Sequence, residues 1–311
     1  MRTSRRTFLA GGAAVAAALP AAAGGIPPLV QAPLVAIEPI ARRGRAQVKV
    51  ACCAYSLREY LQGASPSMTM EDFIAWAAET GIDGVELTSY YFPRDVDRAY
   101  LCRIKRQAFL LNLDIAGTAV GNNFCVPSGP ERDKQIAGVK TWIDHARELG
   151  APCMRIFAGS APRGTSEAQA QEWVVACIEE CCAYAADRGV ILALENHGGV
   201  TADAAGTLAI VRAVRSPWFG LNLDTGNFHS EDPYAEIAQV APYAVTTHVK
   251  AMVTAKGKQK EPADLPRIVT ILRGAGYRGY LSLEYEEEGE PKASSAAILR
   301  ALKQAALERA P

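Results

Sequence analysis

The sequence has no excess of charge of either sign, because 33 lysines and arginines are matched by 33 aspartates and glutamates. This balance argues against a strongly electrostatic partner such as nucleic acid or an anionic membrane surface. No run of like charges dominates and 49% of the residues are hydrophobic, which excludes a globally disordered chain. The 311 residues are enough for one large globular domain or two small ones.

The sequence also lacks a run of about 20 strongly apolar residues, the length that a membrane-spanning helix needs. Its N-terminus instead combines Arg5-Arg6 with an uncharged Ala/Gly/Leu stretch up to Leu19 and small residues after it. These are the parts of a twin-arginine export signal. Residues 1–23 are therefore predicted to be a twin-arginine signal peptide, and residues 24–46 a flexible linker. The predicted location is periplasmic or extracellular, with the twin-arginine export machinery as a partner and no stable membrane anchor.

Disulfide and zinc motifs are missing as well. The 8 cysteines contain no Cys-x-x-Cys pair and no Cys/His spacing that suits zinc. Exported proteins commonly oxidise their cysteines, but most of these cysteines fall on predicted strands and helices. They are therefore predicted to be buried free thiols.

From residue 48 onward, apolar strand-like runs alternate with amphipathic helical stretches eight times. Strands without strict alternation, each followed by a helix, indicate a parallel sheet that is buried on both faces. Residues 47–311 are therefore predicted to form one (β/α)8 TIM barrel, for which about 250 residues is typical. The alternative, a doubly wound open sheet, is disfavoured because no Gly-x-Gly-x-x-Gly follows the first strand. The predicted strands are Val48–Ala54, Gly84–Thr88, Asp114–Thr118, Cys153–Phe157, Ile191–Glu195, Gly220–Asp224, Ala244–Val249 and Tyr280–Glu284.

Polar residues lie at or near the ends of the last four predicted strands: Glu195, Asp224, His248 and Glu284. A TIM barrel carries its active residues at the C-terminal ends of its strands, so these side chains are expected at one mouth. Three carboxylates there repel one another, and a divalent cation with the imidazole as a fourth ligand relieves that repulsion. The sequence therefore predicts one divalent metal ion, Mn²⁺ or Mg²⁺ first, with Co²⁺ or Zn²⁺ as alternatives. Separate capping or ion-pairing roles are disfavoured because the four residues occur on consecutive strands.

The ENHGG, LDTGN, HVK and LEYE segments around these residues resemble the sugar phosphate isomerase/epimerase family, whose members have xylose isomerase-like TIM barrels. The resemblance is specific in the last four strands and loose in the first half of the barrel. It implies that the four residues bind one metal ion. It also implies that Glu195 and Glu284 are catalytic and exchange the proton of the substrate carbon from opposite sides.

At such a site a sugar chelates the ion, which polarises the sugar carbonyl, and a carboxylate removes the α-proton to give a metal-bound enediolate. The predicted function is therefore a divalent-metal-dependent sugar isomerase or epimerase. The alternative is a lyase or hydratase that acts on a 3-keto-glycoside or another oxidised sugar at the same metal site. An apurinic endonuclease is disfavoured, because it needs histidines from early strands and the first histidine here is His145.

Further polar residues are predicted to bind the substrate. His197 follows Glu195 by two residues, and Lys250 shares the strand face of His248. Arg155 lies within the fourth strand, where a cation is expected to meet a carboxylate or the substrate. Three tyrosines and a phenylalanine are candidates for the wall of the pocket, with simple core packing as an equally common alternative: Tyr55, Tyr90, Tyr91 and Phe124. The predicted substrate-binding residues are His197, Arg155, Lys250, Glu86 and Asn122, with pairing to Arg155 as the alternative for Glu86.

Three positions depart from the better-characterised epimerases of that family. Asn227, Thr201 and Thr254 stand where those enzymes often carry His, Glu and Arg. No Gly-rich or multi-arginine phosphate cradle is present either. The sequence therefore does not specify the sugar, its phosphorylation or the reaction outcome, and it leaves open whether the chain forms a homo-oligomer.

Overall fold

A computed structural model describes residues 37–44 and 47–308, so the predicted signal peptide and most of the predicted linker lie outside the described residues. Within the described part, eight parallel strands close into a barrel and a helix follows each of them. No helix there has both the length and the apolar character needed to cross a membrane. The barrel strands are β1 Val48–Cys53, β2 Gly84–Thr88, β3 Asp114–Ala119, β4 Cys153–Ile156, β5 Ile191–Glu195, β6 Phe219–Asp224, β7 Ala244–Lys250 and β8 Gly279–Glu284. After β7, the short strands Met252–Val253 and Glu261–Pro262 pair antiparallel outside the barrel. The helices that alternate with these strands are α1 Met70–Glu79, α2 Arg98–Leu110, α3 Pro130–Leu149, α4 Glu167–Ala186, α5 Ala204–Ala213, α6 Pro233–Val240, α7 Leu265–Gly274 and α8 Pro291–Leu307, and a single helical turn, Arg58–Leu61, precedes α1.

The barrel closes where the first strand pairs with the last. β1 lies parallel to β8, with Val48 opposite Gly279 and Cys52 opposite Leu283, and it pairs with β2 on its other side. Because all eight strands are parallel, their C-terminal ends form one mouth. The prediction of a (β/α)8 TIM barrel is confirmed.

The strand β4 is one residue shorter than predicted. It ends at Ile156, because the backbone of Phe157 turns to the side chain of Asn122. Phe157 N donates to Asn122 Oδ1 at 2.9 Å, and Asn122 Nδ2 donates to Phe157 O at 2.7 Å. The amide side chain thereby ties the loops after β3 and β4 together at the mouth.

Side-chain caps fix where most of the helices begin at the mouth. Before α1, Asp72 N donates to the Thr69 hydroxyl at 3.1 Å, and Thr69 N donates to the Asp72 carboxylate at 2.9 Å. This reciprocal arrangement is a capping box. Five further residues each accept a hydrogen bond from the backbone N–H three positions later: Asp97, Ser166, Asp203, Asp232 and Asp264. Fixed helix starts set the lengths of the loops that frame the mouth.

The cysteines all have free thiols, and 7 of the 8 are buried. The prediction of buried thiols is confirmed for those and is wrong for Cys102, which is exposed on α2. The sulfur of Cys102 lies 3.4 Å from a carboxylate oxygen of Glu148. Cys53, by contrast, ends β1 inside the barrel, where burial raises the pKa of its thiol to about 12.

Candidate metal centre

The structure brings the four predicted metal ligands together. Glu195, Asp224 and Glu284 are the last residues of β5, β6 and β8, and His248 lies opposite Asp224 in the pairing of β6 with β7. One ligand atom of each lies within 4.8 Å of the others, and all four residues are buried. The prediction that consecutive strand ends meet at one mouth is therefore met at atomic distances.

The tautomer of His248 is set by Glu86. The Nε2 atom of His248 lies 2.8 and 3.0 Å from the two carboxylate oxygens of Glu86, so it carries the proton and donates. The Nδ1 atom is the ring nitrogen left for the centre, and it makes no hydrogen bond although it is buried. It faces Glu195 Oε2 at 3.2 Å and Glu284 Oε2 at 3.4 Å. A cation bound between Nδ1 and the two carboxylates would displace any proton from Nδ1 and compensate both negative charges.

The orientation of Asp224 points to the same cation. Its Oδ1 accepts hydrogen bonds from the backbone N–H groups of Gly226 and Asn227 at 2.8 and 3.0 Å. Its Oδ2 is buried without a hydrogen bond, 3.3 Å from the ammonium of Lys250. One carboxylate oxygen is thus fixed by the loop after β6, and the other is left for the centre.

Charges in the cluster require positive compensation. Burial raises the pKa of Asp224 to about 7 against the opposing effect of Lys250. Burial also disfavours the charged forms of Glu284 and His248, but the opposite charges beside each of them have the larger effect on its pKa. They hold the pKa of the Glu284 carboxyl well below its usual range and the pKa of the His248 imidazole well above it. Three carboxylate oxygens and one imidazole nitrogen therefore fit a single divalent ion of the Mn²⁺ or Mg²⁺ type, with Co²⁺ and Zn²⁺ compatible.

The predicted pairing of Glu86 with Arg155 is wrong. Glu86 reaches across the barrel to His248, and the Cys53 sulfur lies 3.4 Å from its Oε1. Its exposed fraction is 2%, and both of its carboxylate oxygens contact the imidazole. Glu86 therefore positions His248, a predicted metal ligand, and its predicted contact with substrate stays a prediction.

Arg155 pairs with Glu195, a predicted metal ligand, instead. Its Nε lies 3.1 Å from Glu195 Oε2, its Nη1 donates to Val120 O at 2.9 Å, and its guanidinium stacks 3.9 Å above the ring of Phe157. The prediction that this cation meets a carboxylate is therefore met. With only 3% of its side chain exposed, it supports Glu195 from below the mouth.

Lys250 also lies among the ligands. Its Nζ is 2.5 Å from Glu284 Oε2 and 2.5 Å from Glu286 Oε2. Lys250 thus contacts carboxylates of the protein itself, and its predicted contact with substrate stays a prediction. Glu286 is absent from the predicted site, because it follows the end of β8 in an acidic loop that gave no strand-end signal.

The remaining predicted residues divide between the mouth and the interior. His197 is exposed, with its ring centroid 4.6 Å from that of Phe157, and it is available to a substrate. Asn122 uses both amide atoms on the Phe157 backbone, so its first role is structural. Phe124 is fully buried, and its prediction as a pocket wall is wrong. Three tyrosines remain at least partly exposed beside the mouth: Tyr55, Tyr90 and Tyr91.

Asparagines that sequence reasoning missed hold the ligands. Asn222 Nδ2 donates to Glu195 Oε2 at 3.2 Å, and Asn227 Nδ2 lies 3.4 Å from Glu195 Oε1. Asn196 Nδ2 donates to Asp224 O at 2.9 Å, and Asp224 N donates to Asn196 Oδ1 at 2.8 Å. A signal for Asn222 was present, because it precedes Asp224 by two residues and so shares its strand face.

Replacing Glu86 by glutamine is expected to weaken Mn²⁺ binding by about 10- to 100-fold, because the imidazole loses the carboxylate that orients it and raises its basicity. Calorimetric titration of the metal-free protein measures the affinity. Glu180→Gln is the control, since Glu180 pairs with Lys140 on the outer surface at 2.8 Å. An unchanged affinity in Glu86→Gln contradicts the positioning role.

A model of the family described as xylose isomerase-like TIM barrel matches residues 74–305. Among solved structures, a xylose isomerase domain protein from Planctomyces limnophilus is 18% identical with a TM-score of 0.65, covering 84% of this chain and 98% of that one. A D-allulose 3-epimerase from Methylomonas sp. is 17% identical with a TM-score of 0.66 and the same coverage. A D-psicose 3-epimerase from Clostridium cellulolyticum H10, solved with D-tagatose, is 16% identical with a TM-score of 0.66, covering 84% and 97%. At these identities the likeness shows the fold. No curated protein matches the chain in sequence.

Proposed function

The chain belongs to the xylose isomerase-like TIM barrel family, and on that premise we propose that it is a divalent-metal-dependent isomerase or epimerase of a carbohydrate. The observation that carries the proposal is the buried set of Glu195, Asp224, His248 and Glu284. Two of its carboxylates come from β5 and β8, which lie three strands apart around the barrel. They therefore approach the centre from different sides, as proton exchange on two faces of a substrate carbon requires.

A divalent ion bound by these residues would polarise the sugar carbonyl as a Lewis acid. The two glutamates differ in how their own oxygens are occupied. One oxygen of each is paired with a buried cation, Glu195 Oε2 with Arg155 at 3.1 Å and Glu284 Oε2 with Lys250 at 2.5 Å, so the difference lies in the other oxygen, and Glu195 Oε1 lies 3.4 Å from Asn227 Nδ2. Glu284 Oε1 contacts only a thiol, that of Cys53 at 3.9 Å, among the hydrogen bonds of the described residues. We therefore assign proton removal to Glu284 and proton return or charge stabilisation to Glu195.

We propose an unphosphorylated sugar as the substrate class. Binding a phosphate at the buried centre requires a cation that is not already neutralised. Arg155 and Lys250 reach the centre, and each contacts carboxylates of the protein. His197 and the tyrosines beside the mouth supply the uncharged and aromatic surface that sugars contact.

A lyase or hydratase that acts on a 3-keto-glycoside is the second candidate. One observation favours it: two of the three positions that depart from the epimerases, Thr201 and Asn227, place their side chains on the protein itself. Thr201 Oγ1 donates to Gly198 O at 2.9 Å and accepts from His197 N at 3.0 Å, while Asn227 lies against Glu195. The predicted export, which stays a prediction, also favours a glycoside-derived substrate.

Solvent exchange distinguishes the candidates. With Mn²⁺ present, a panel of free ketoses and aldoses, 3-keto-glycosides and sugar phosphates is incubated in D₂O and analysed by NMR. We expect deuterium at the carbon next to the carbonyl of an unphosphorylated sugar, and loss of this labelling after chelation. A labelled isomer or epimer supports the first candidate, and an unsaturated or hydrated product supports the second. Full activity after exhaustive chelation, or no labelling of any sugar, rejects the metal-dependent proton transfer.

A further inference from the structure

Lys250 reaches the metal centre through a passage that the fold leaves for its stem. It is the last residue of β7, two residues beyond His248, and only 7% of its surface is exposed. A Cβ atom on Gly226 would lie 2.5 Å from Lys250 Cγ, so a glycine at this position keeps the passage open. The backbone N–H of Lys250 donates to Thr225 Oγ1 at 3.0 Å. The ammonium is therefore placed by its surroundings.

At the end of this passage the ammonium is shared among three carboxylates. Nζ lies 2.5 Å from Glu284 Oε2 and 3.3 Å from Asp224 Oδ2, and both of these oxygens face the metal centre. Its third contact, 2.5 Å to Glu286 Oε2, is to an acid outside the ligand set whose side chain is 38% exposed. Lys250 thus competes for ligand oxygens, and Glu286 draws it toward the mouth.

The buried charges balance when a divalent ion is counted with the side chains. Four carboxylates face two cationic side chains and the two charges of the ion. The carboxylates are those of Glu86, Glu195, Asp224 and Glu284, and the cations are Arg155 and Lys250. Loss of the Lys250 charge leaves one negative charge in excess beside the ion. In a poorly screened interior this excess strengthens the attraction for a cation.

We propose that Lys250 is a counter-cation that weakens the hold of the centre on its metal ion, and that Glu286 moderates this effect by drawing the ammonium away from Asp224 and Glu284. The inference rests on the metal site of the proposed function and not on its sugar chemistry. The expected direction of the change in metal affinity distinguishes this role from others. Loss of an ordinary supporting residue weakens metal binding, whereas loss of Lys250 strengthens it.

Calorimetric titration of Mn²⁺ into the metal-free full-length protein tests the proposal. Lys250→Met is expected to bind Mn²⁺ at least about tenfold more tightly, because a unit charge near the ion is removed. Glu286→Gln is expected to bind Mn²⁺ a few-fold more weakly. Lys256→Met is the matched control, since Lys256 lies in the loop after β7 and its nearest acid is Glu231 at 3.9 Å; its affinity is expected to equal that of the wild type.

The double variant Lys250→Met/Glu286→Gln shows whether Glu286 affects Mn²⁺ affinity through Lys250 or through its own charge. If Glu286 acts through Lys250, its substitution has no effect in the methionine background. An affinity of Lys250→Met equal to or weaker than wild type overturns the proposal, as does an equal effect of Glu286→Gln in both backgrounds. If Lys250→Met does not fold, the Mn²⁺ affinity of Glu286→Gln is the remaining test. A wild-type affinity in that variant overturns the proposal. Wild-type protein that binds Mn²⁺ but labels no sugar rejects the proposed function only, and protein that binds no Mn²⁺ rejects both.

Discussion

Replacing Glu284 by glutamine is expected to lower kcat by about 10²- to 10⁴-fold, the range over which a positioned general base accelerates proton transfer. Glutamine keeps the size of the side chain and one oxygen for the centre, but its amide does not accept the α-proton. The comparison is made at saturating Mn²⁺, so that weaker metal binding does not mimic lost catalysis. Deuterium labelling of the preferred sugar is the measurement, because it follows the proton transfer directly.

Glu288→Gln is the matched control, because Glu288 lies in the exposed loop that follows β8. Its activity is expected to equal that of the wild type. A Glu284→Gln protein that labels sugar at the normal rate while binding Mn²⁺ assigns the base elsewhere. The corresponding Glu195→Gln variant then shows whether the two glutamates have exchanged roles. Loss of labelling in both variants agrees with two-sided proton exchange.

Replacing Arg155 by methionine is expected to destabilise the metal-free protein by about 3–5 kcal/mol, the cost of leaving one member of a buried ion pair uncompensated. Methionine retains much of the apolar stem that packs on Phe157, so the loss comes mainly from the charge and hydrogen bonds. Glu195, with 1% of its surface exposed, then keeps a buried charge with one fewer partner. Urea unfolding in the presence of a chelator measures the difference in free energy of unfolding.

The surface variant Arg188→Met is the control for this measurement. Arg188 makes a closer ion pair, 2.6 Å to Asp144 Oδ1, but 49% of the aspartate side chain is exposed. Its removal is expected to cost about 1 kcal/mol or less, because solvent screens the pair. Addition of Mn²⁺ is expected to reduce the loss of unfolding free energy in Arg155→Met, because the ion compensates the charge of Glu195. Equal costs for the two variants contradict the assignment of Arg155 as the buried partner of a metal ligand.

The convergence of the four predicted metal ligands was predictable because the signal for it is local. An acidic residue directly after an apolar parallel strand lies at the mouth whatever the details of the barrel, and Asp224 and Glu284 needed no other information. His248 was also predictable, although it lies two residues inside the end of β7, because its neighbours in the pairing are fixed by the same parallel geometry.

Contacts across the barrel were not predictable in the same way. Glu86 contacts His248 although β2 and β7 are not neighbours in the sheet. Their contact depends on the stagger between strands, which the sequence of a single strand does not reveal. The hydrogen bonds of the Asn122 side chain were equally unpredictable. They occupy the backbone N–H and C=O of Phe157, a residue whose apolar character predicts a strand, and β4 ends before it. The identity of a mouth residue follows from sequence, whereas its partner depends on how the whole barrel closes.

The pairing of β1 with β8 has a consequence for the order in which the molecule matures. A nascent chain that has not yet emerged beyond residue 284 lacks the final strand of the wall, and with it Glu284. The earlier ligands alone do not complete the set, and contacts over so long a sequence separation form slowly. We therefore expect tight metal binding to be a late event of folding, which would report that synthesis and closure of the barrel are both complete.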